Sequence, residues 1–421
     1  MEFERFDMKK PPVRTKWYLK PLTMLLSAPD NIAHKNKLTK IGCDDLKPPY
    51  VLLCNHNAFM DFKVATKIIY PNCANYVVAI DGFIGRENLL RSVGCICKRK
   101  FTNDVTLVRQ LKRVIKNGDI AVIYPEARYS LCGTTAILPE SLGKLCKLLG
   151  APVATLICHG HHVNSPFWNT RNRGVKGTQA ELSYQFSPEE LKERSVDEIN
   201  AQLVKAFQYD DFRWQKDNNI RITYPKRAEG LHKVLYQCAH CKTEYQMTSE
   251  GTKLKCNACD KTWAMTEFGE LSADSGDTEF SHIPDWYEWE RENVRREVEN
   301  GTYSTGEMPV TVDSLPNAKR FIKLGSGTMV HDRNGFHVRG KTADGKVFRM
   351  EKSVPSLYSC HIEYEYLGKH GDCVDLNTLE DTWYIYPHDC EFSVTKMALA
   401  TEELYLQHKR NTGREIKPGL A

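Results

Sequence analysis

From Pro48 to about residue 225, short apolar runs alternate with stretches of helical period. Apolar strands are expected over 50–54, 75–80, 119–124, 152–158 and 180–186. Over 103–118, Val105, Val108, Leu111 and Ile115 mark a helical stripe, with Asn103 or Thr102 as cap and Gly118 as stop. A further helix is expected over 140–149, ended by Gly150. Strands and helices in this alternation predict an α/β layer domain with a largely parallel sheet.

Past residue 225 the pattern changes. Residues 266–310 are acidic and carry Ser272-Ala-Asp-Ser-Gly276, which reads as a flexible link. A charged helix over 286–299 follows, expected as a solvated linker helix or as one that docks on the first domain. From Val310 the pattern is β-rich, with hairpin signals at Asn334-Gly335 and Asp344-Gly345 and a closing helix over 395–409. The expected units are 1–230 (α/β), 231–268 (a cysteine-bearing module), 269–309 (acidic linker with helix) and 310–421 (β-rich). The last unit faintly resembles a pleckstrin-homology or GRAM-like barrel, which implies lipid or protein binding.

Composition bounds these readings. The 421 residues are 41% hydrophobic and 26% charged, ordinary for a globular chain long enough for two or three cores. No apolar run approaches the roughly 18–20 residues of a membrane span. The charged N-terminus lacks the apolar segment of a signal peptide. Eleven of the fifteen cysteines are scattered through expected strands and helices, as in a reducing compartment. These features predict a cytoplasmic protein.

The net charge of +5 is unevenly spread. Residues 1–40 carry nine Lys/Arg against four Asp/Glu, residues 86–116 nine against two, and residues 266–300 three against eleven. A basic first half suits an anionic partner: nucleic acid, a phospholipid surface or a phosphorylated substrate. Residues 17–26, apolar and aromatic beside Arg14, Lys16 and Lys20, read as an interfacial segment. Pro21 interrupts it, and packing against the body of the protein is the expected fate, with the rim of a lipid-access groove compatible with that.

Candidate chemistry starts where the first strand ends. His56 and Asp61 stand five residues apart. Five residues turn a helix by about 500°, so the two cannot share a helical face. If they cooperate, His56 lies in the turn before the helix and Asp61 in its first turn, at the carboxyl edge of the sheet. Such a pair could act as a general base oriented by a carboxylate; strand-end and helix caps explain it equally well.

Three further stretches follow in order: Gly94-Cys-Ile-Cys-Lys-Arg99, Tyr124-Pro-Glu-Ala-Arg-Tyr-Ser130 and Ala151-Pro-Val. With Asn55-His56 and Asp61, they resemble the glycerolipid acyltransferase family, which includes lysophosphatidic acid acyltransferases, over roughly residues 35–210. The resemblance implies that His56 deprotonates an acceptor hydroxyl, Asp61 orients the imidazole, and the hydroxyl attacks an acyl thioester of coenzyme A or acyl carrier protein. It implies that Arg99 binds the acceptor phosphate and Glu126 the glycerol, with Gly94, Arg128 and Ser130 in the same substrate-binding blocks. One departure stands out. The family's third block usually reads Glu-Gly-Thr-Arg-Ser, whereas here it is Glu126-Ala-Arg-Tyr-Ser130, with the arginine one position early.

The implied partners are a glycerolipid acceptor such as 1-acyl-sn-glycerol-3-phosphate, a thioester donor and the inner face of a membrane, to which the protein would be peripheral. The competing readings are a lipid-binding scaffold without turnover and a nucleic-acid binder, the latter not expected to be specific. His159-Gly-His-His162 invites a metal reading, but taken as lacking carboxylate or cysteine neighbours it is not expected to bind one.

Two Cys-x2-Cys knuckles, Cys238/Cys241 and Cys256/Cys259, are separated by fourteen intervening residues. Four thiolates at this spacing suit a closed tetrahedral Zn²⁺ ribbon with a structural role. A protein partner for the ribbon or for the β-rich unit is the natural complement.

Overall fold

A computed structural model of the chain describes residues 4–366 and 371–420. Lys37–Ile41 (β1), Val51–Cys54 (β2), Ala74–Ala79 (β3), Ile96–Lys98 (β4), Ile120–Ile123 (β5), Val153–His159 (β6) and Gln179–Phe186 (β7) form one sheet. Its order is β1-β7-β6-β2-β5-β3-β4, parallel throughout except between β6 and β7. The five expected strands are present. β1 escaped the reading because every residue in it is exposed, and β4 because three residues show no period. β2, buried at all four positions, lies between β5 and β6, so three neighbouring strands release their loops at the same edge.

Around this sheet lie Lys20–Ala33 (α1), Met60–Ile69 (α2), Glu87–Ser92 (α3), Val105–Lys116 (α4), Ser141–Leu149 (α5), His161–Asn164 (α6), Pro188–Glu193 (α7), Val196–Ala206 (α8) and Asp211–Asp217 (α9). The cap of α4 is Asp104, not Asn103 or Thr102: its carboxylate accepts the amides of Thr106 and Leu107. Val105 is exposed, and the buried stripe of α4 centres on Leu111 and Val114. α5 ends at Gly150, whose left-handed φ of 60° lets its amide reach the Cys146 carbonyl.

The interfacial segment is not packed away. Trp17 is 80% exposed, and Tyr18, Leu22, Leu25 and Leu26 are exposed with it, because α1 turns only Ser27 and Asn31 into the protein. No helix among the described residues is long and apolar enough to cross a membrane.

Met247–Glu250 (β8), Lys253–Cys256 (β9), Thr262–Met265 (β10) and Leu271–Ala273 (β11) make a small antiparallel sheet. The boundary expected at residue 268 therefore falls inside it, and Ser272 and Ala273, read as a flexible link, are strand residues paired to β10. Ile283–Glu299 (α10) is no solvated linker helix. Ile283, Trp286, Tyr287, Val294 and Val298 recur at helical spacing and are buried, an apolar face that the acidic composition masked. Trp286 packs edge-on against Trp263 of β10 with ring centroids 5.0 Å apart, and its indole N–H donates to the Gln237 carbonyl.

Met308–Ser314 (β12), Ile322–Asp332 (β13), Gly335–Lys341 (β14), Val347–Ser353 (β15), His361–Glu363 (β16), Cys373–Asn377 (β17) and Thr382–Pro387 (β18) form an antiparallel half-barrel. The order is β15-β14-β13-β12-β18-β17-β16, and Val394–Asn411 (α11) follows. Both expected hairpins are there, β13–β14 and β14–β15. One continuous core joins the small sheet, α10, α11 and this half-barrel to residues beside the α/β site. Trp286→Ala, which empties the centre of that junction, should lower stability by about 3–5 kcal/mol in urea unfolding; a loss below about 1 kcal/mol would show that α10 is not integral to the core.

Candidate functional site

The site forms where the loops after β2, β5 and β6 meet. Asn55 ties the first to the third: its amide N–H₂ donates to the Cys158 carbonyl at 2.9 Å and its oxygen accepts the Cys158 amide at 2.8 Å. The second loop holds the first from the other side. The Ser130 amide donates to the His56 carbonyl at 2.8 Å, and the His56 amide donates to Glu126 Oε1 at 3.1 Å. The His56 backbone is thus bound at both ends before its side chain does anything.

The His56 ring lies between Tyr124 and Tyr129, with centroids 4.4 and 4.2 Å away, and keeps 22% of its side chain exposed. Its Nδ1 faces Asp61 Oδ2 at 3.5 Å. Asp61, in the first turn of α2, has no exposed surface. Its Oδ2 accepts the amides of Asn57 (2.5 Å) and Ala58 (2.9 Å), and its Oδ1 accepts His161 Nδ1 at 2.5 Å. Burial pushes the carboxyl upward, but the hydrogen bond from His161 and then the nearby His56 ring outweigh it and hold Asp61 at about 2.

His161 is the residue that the sequence reading left out of the site. The expectation that the His159–His162 run lacks carboxylate and cysteine neighbours fails, because the fold brings Asp61 to His161 beside Cys158 of the preceding strand. An Asp61 oxygen, Cys158 Sγ and a His161 nitrogen lie within 4.8 Å of one another. The 2.5 Å contact between Asp61 and His161 is a hydrogen bond, shorter than the roughly 3.3 Å that separates ligands placed tetrahedrally about 2 Å from zinc. In this arrangement the two groups are paired directly with each other.

The other residues named from sequence are brought to the site's frame but not to its open face. Glu126 is 1% exposed; besides His56 it accepts the Ala136 amide at 2.8 Å and the Tyr209 hydroxyl at 3.3 Å. It braces the loop rather than waiting for a glycerol. Ser130 Oγ donates to the Thr134 carbonyl and accepts the Gly133 amide, again as a brace. Gly94 is a close-packing position: at φ 91°, a Cβ there would come within 2.8 Å of the Ala74 carbonyl oxygen.

Both arginines point away from the assigned task. Arg99 is 1% exposed, and its terminal nitrogens donate to the carbonyls of Leu315, Pro316 and Glu380 and to Thr382 Oγ1, all in the half-barrel domain. Arg128 pairs with Glu402 of α11 at 2.7 Å. Neither guanidinium is presented to an acceptor phosphate in this arrangement. The early arginine and Tyr129 now have a physical reason: position 128 points to α11, while position 129 lays a ring on His56.

Away from this site, the four knuckle thiols converge. Cys238 and Cys259 sulfurs are 3.8 Å apart, those of Cys241 and Cys256 3.7 Å, and all four lie within 4.8 Å of one another. Lys242 and Asp260, each directly after the second cysteine of a knuckle, have φ of 67° and 58°, and the Cys241 amide donates to Cys238 Sγ. Four sulfurs with the knuckle backbone folded toward them fit a bound metal ion.

Residues 29–158 match the family model described as Acyltransferase. Among solved structures, the 1-acyl-sn-glycerophosphate (LPA) acyltransferase PlsC from Thermotoga maritima is similar over 45% of this chain and 79% of its own, with 14% identity and a TM-score of 0.35. No curated protein matches significantly.

The buried Glu126 gives the fold a pH dependence. Burial pushes its carboxyl up to about 8 against the amide hydrogen bonds it accepts. A carboxyl raised in this way stabilises the fold fully below its unfolded value, near 4.3, and that contribution is lost as pH rises through about 8. Asp211, at about 7 through burial, acts in the same direction. Urea midpoints should fall between pH 5 and 9 in the wild type and fall less in Glu126→Gln; identical slopes would remove Glu126 as the source.

Proposed function

We infer that this chain, whose residues 29–158 match the Acyltransferase family model, transfers a fatty acyl group from a thioester of coenzyme A or acyl carrier protein to a hydroxyl of a glycerolipid. The observation that carries this reading is His56, partly open, backed by the buried Asp61 carboxylate at the carboxyl edge of the sheet. With Nδ1 turned to Asp61, the other ring nitrogen takes the proton of the acceptor hydroxyl. The hydroxyl oxygen bonds to the thioester carbon, the C–S bond breaks, and the proton passes from His56 to the departing thiolate. A 1-acyl-sn-glycerol-3-phosphate acceptor would need phosphate contacts other than the present ones of Arg99 and Arg128.

The membrane reading is supported by α1 and the residues before it: Trp17, Tyr18, Leu22, Leu25 and Leu26 stand exposed beside Lys16 and Lys20. It makes the protein peripheral on the cytoplasmic face. The seven-stranded half-barrel followed by α11 supports a pleckstrin-homology or GRAM-like unit. The four knuckle cysteines support a structural Zn²⁺, which would tie the two knuckles together and supply no chemistry at His56. One observation favours a second reading, a lipid-binding scaffold: the half-barrel domain and α11 hold both arginines.

His56→Ala should reduce transfer of labelled acyl groups to a lysophospholipid panel by about 10²- to 10⁴-fold; undiminished turnover would sink the mechanism, and lipid binding without any product in the wild type would establish the scaffold. Purified protein should carry about one equivalent of zinc, and its removal by a chelator should lower the thermal midpoint. Metal content below about half an equivalent would contradict the ribbon reading.

A further inference from the structure

We propose that His161 is a positioning residue: by occupying Asp61 Oδ1 it fixes the carboxylate so that Oδ2 faces His56 and sets which nitrogen of His56 is offered to the acceptor. This rests on the reading of His56 as the base. A carboxylate has two oxygens, and here their duties are divided. Oδ2 accepts the amides of Asn57 and Ala58 and looks toward His56 Nδ1, 3.5 Å away. Oδ1 has His161 Nδ1 at 2.5 Å. Remove that donor and Oδ1 becomes a buried, unpaired anionic oxygen, a costly state that rotation of the carboxylate toward His56 or a backbone amide would relieve. His56, held to Asp61 at longer range than His161 is, would be the group displaced.

The protein invests several contacts in placing His161. Its side chain is fully buried in α6. Gly160, which precedes α6, has φ 84°, and a Cβ on it would lie 2.6 Å from the Trp214 ring. The amides of Gly160 and His162, on either side of His161, donate to the two oxygens of the buried Asp211 at 3.1 and 2.8 Å. Asp211 and Trp214 both belong to α9, so that helix clamps the turn from which His161 reaches Asp61. Among the described residues His161 Nε2 has no hydrogen-bond partner, and the ring's hydrogen bond is the one to Asp61.

The test compares His161→Asn, His161→Gln and His161→Leu in the full-length protein. Asparagine places an amide N–H near the position of Nδ1, whereas glutamine extends past it and leucine has no donor. Two readouts are taken: acyl transfer with labelled acyl-CoA and a lysophospholipid, and side-chain ¹⁵N NMR of His56 at fixed pH, which reports whether Nδ1 or Nε2 carries the proton. His161→Leu and His161→Gln should lower kcat by about 100-fold with KM changed less than about threefold, and should shift His56 away from the Nδ1–H tautomer. His161→Asn should recover kcat to within about tenfold and restore the tautomer. If leucine prevents folding, the asparagine and glutamine pair decides. Wild-type kcat in His161→Gln, or equal losses in all variants with an unchanged His56 tautomer, would overturn the proposal. His56→Ala with full turnover would instead remove the base reading, while the NMR comparison would still judge the coupling between His161 and His56.

Discussion

A single buried carboxylate organises the site. Asp61 has no solvent contact, and an anion in such a place is tolerable only if donors surround it. The fold supplies them from two separate stretches: the amides of Asn57 and Ala58 from the loop after β2, where the His56 ring lies 3.5 Å away, and the His161 ring from the turn after β6. The cost of leaving Asp61 unpaired ties these loops together, and the same bonds that satisfy the charge hold the histidine that would use it.

The second constraint comes from the other end of the chain. Arg99 and Arg128 are buried cations, and each finds its partners in the C-terminal region: Arg99 in carbonyls and a threonine at the edge of the half-barrel, Arg128 in Glu402. Glu402 also accepts Arg291 of α10 and the Ser359 hydroxyl, so Arg128 is one member of a shared buried network. The α/β site and the C-terminal units are consequently joined by charge as well as by apolar packing. A rearrangement that freed either arginine for a ligand would have to supply these groups with new partners.

Aromatic rings finish the site. Tyr124 and Tyr129 close on both sides of His56, and Phe167 lies 5.7 Å from Tyr129. The ring walls limit the directions from which the exposed part of His56 can be reached. Tyr129, the residue after Arg128, forms one of these walls.

Much of the framework was legible in the chain itself, because it depends on local signals. Apolar runs marked the five inner strands, Gly150 and Gly118 marked helix ends, Asn334-Gly335 and Asp344-Gly345 marked hairpins, and the His56/Asp61 spacing required a turn before a helix. The paired knuckles likewise put four thiols within reach of each other. Other features depended on partners distant in sequence. His161 joins Asp61 across one hundred residues, Arg99 meets carbonyls more than two hundred residues away, and acidic α10 becomes a core helix because Trp263 and α11 cover its apolar face. Local sequence states which side chains carry charge, rings or donors; only the tertiary fold decides which of them must satisfy one another once water is excluded.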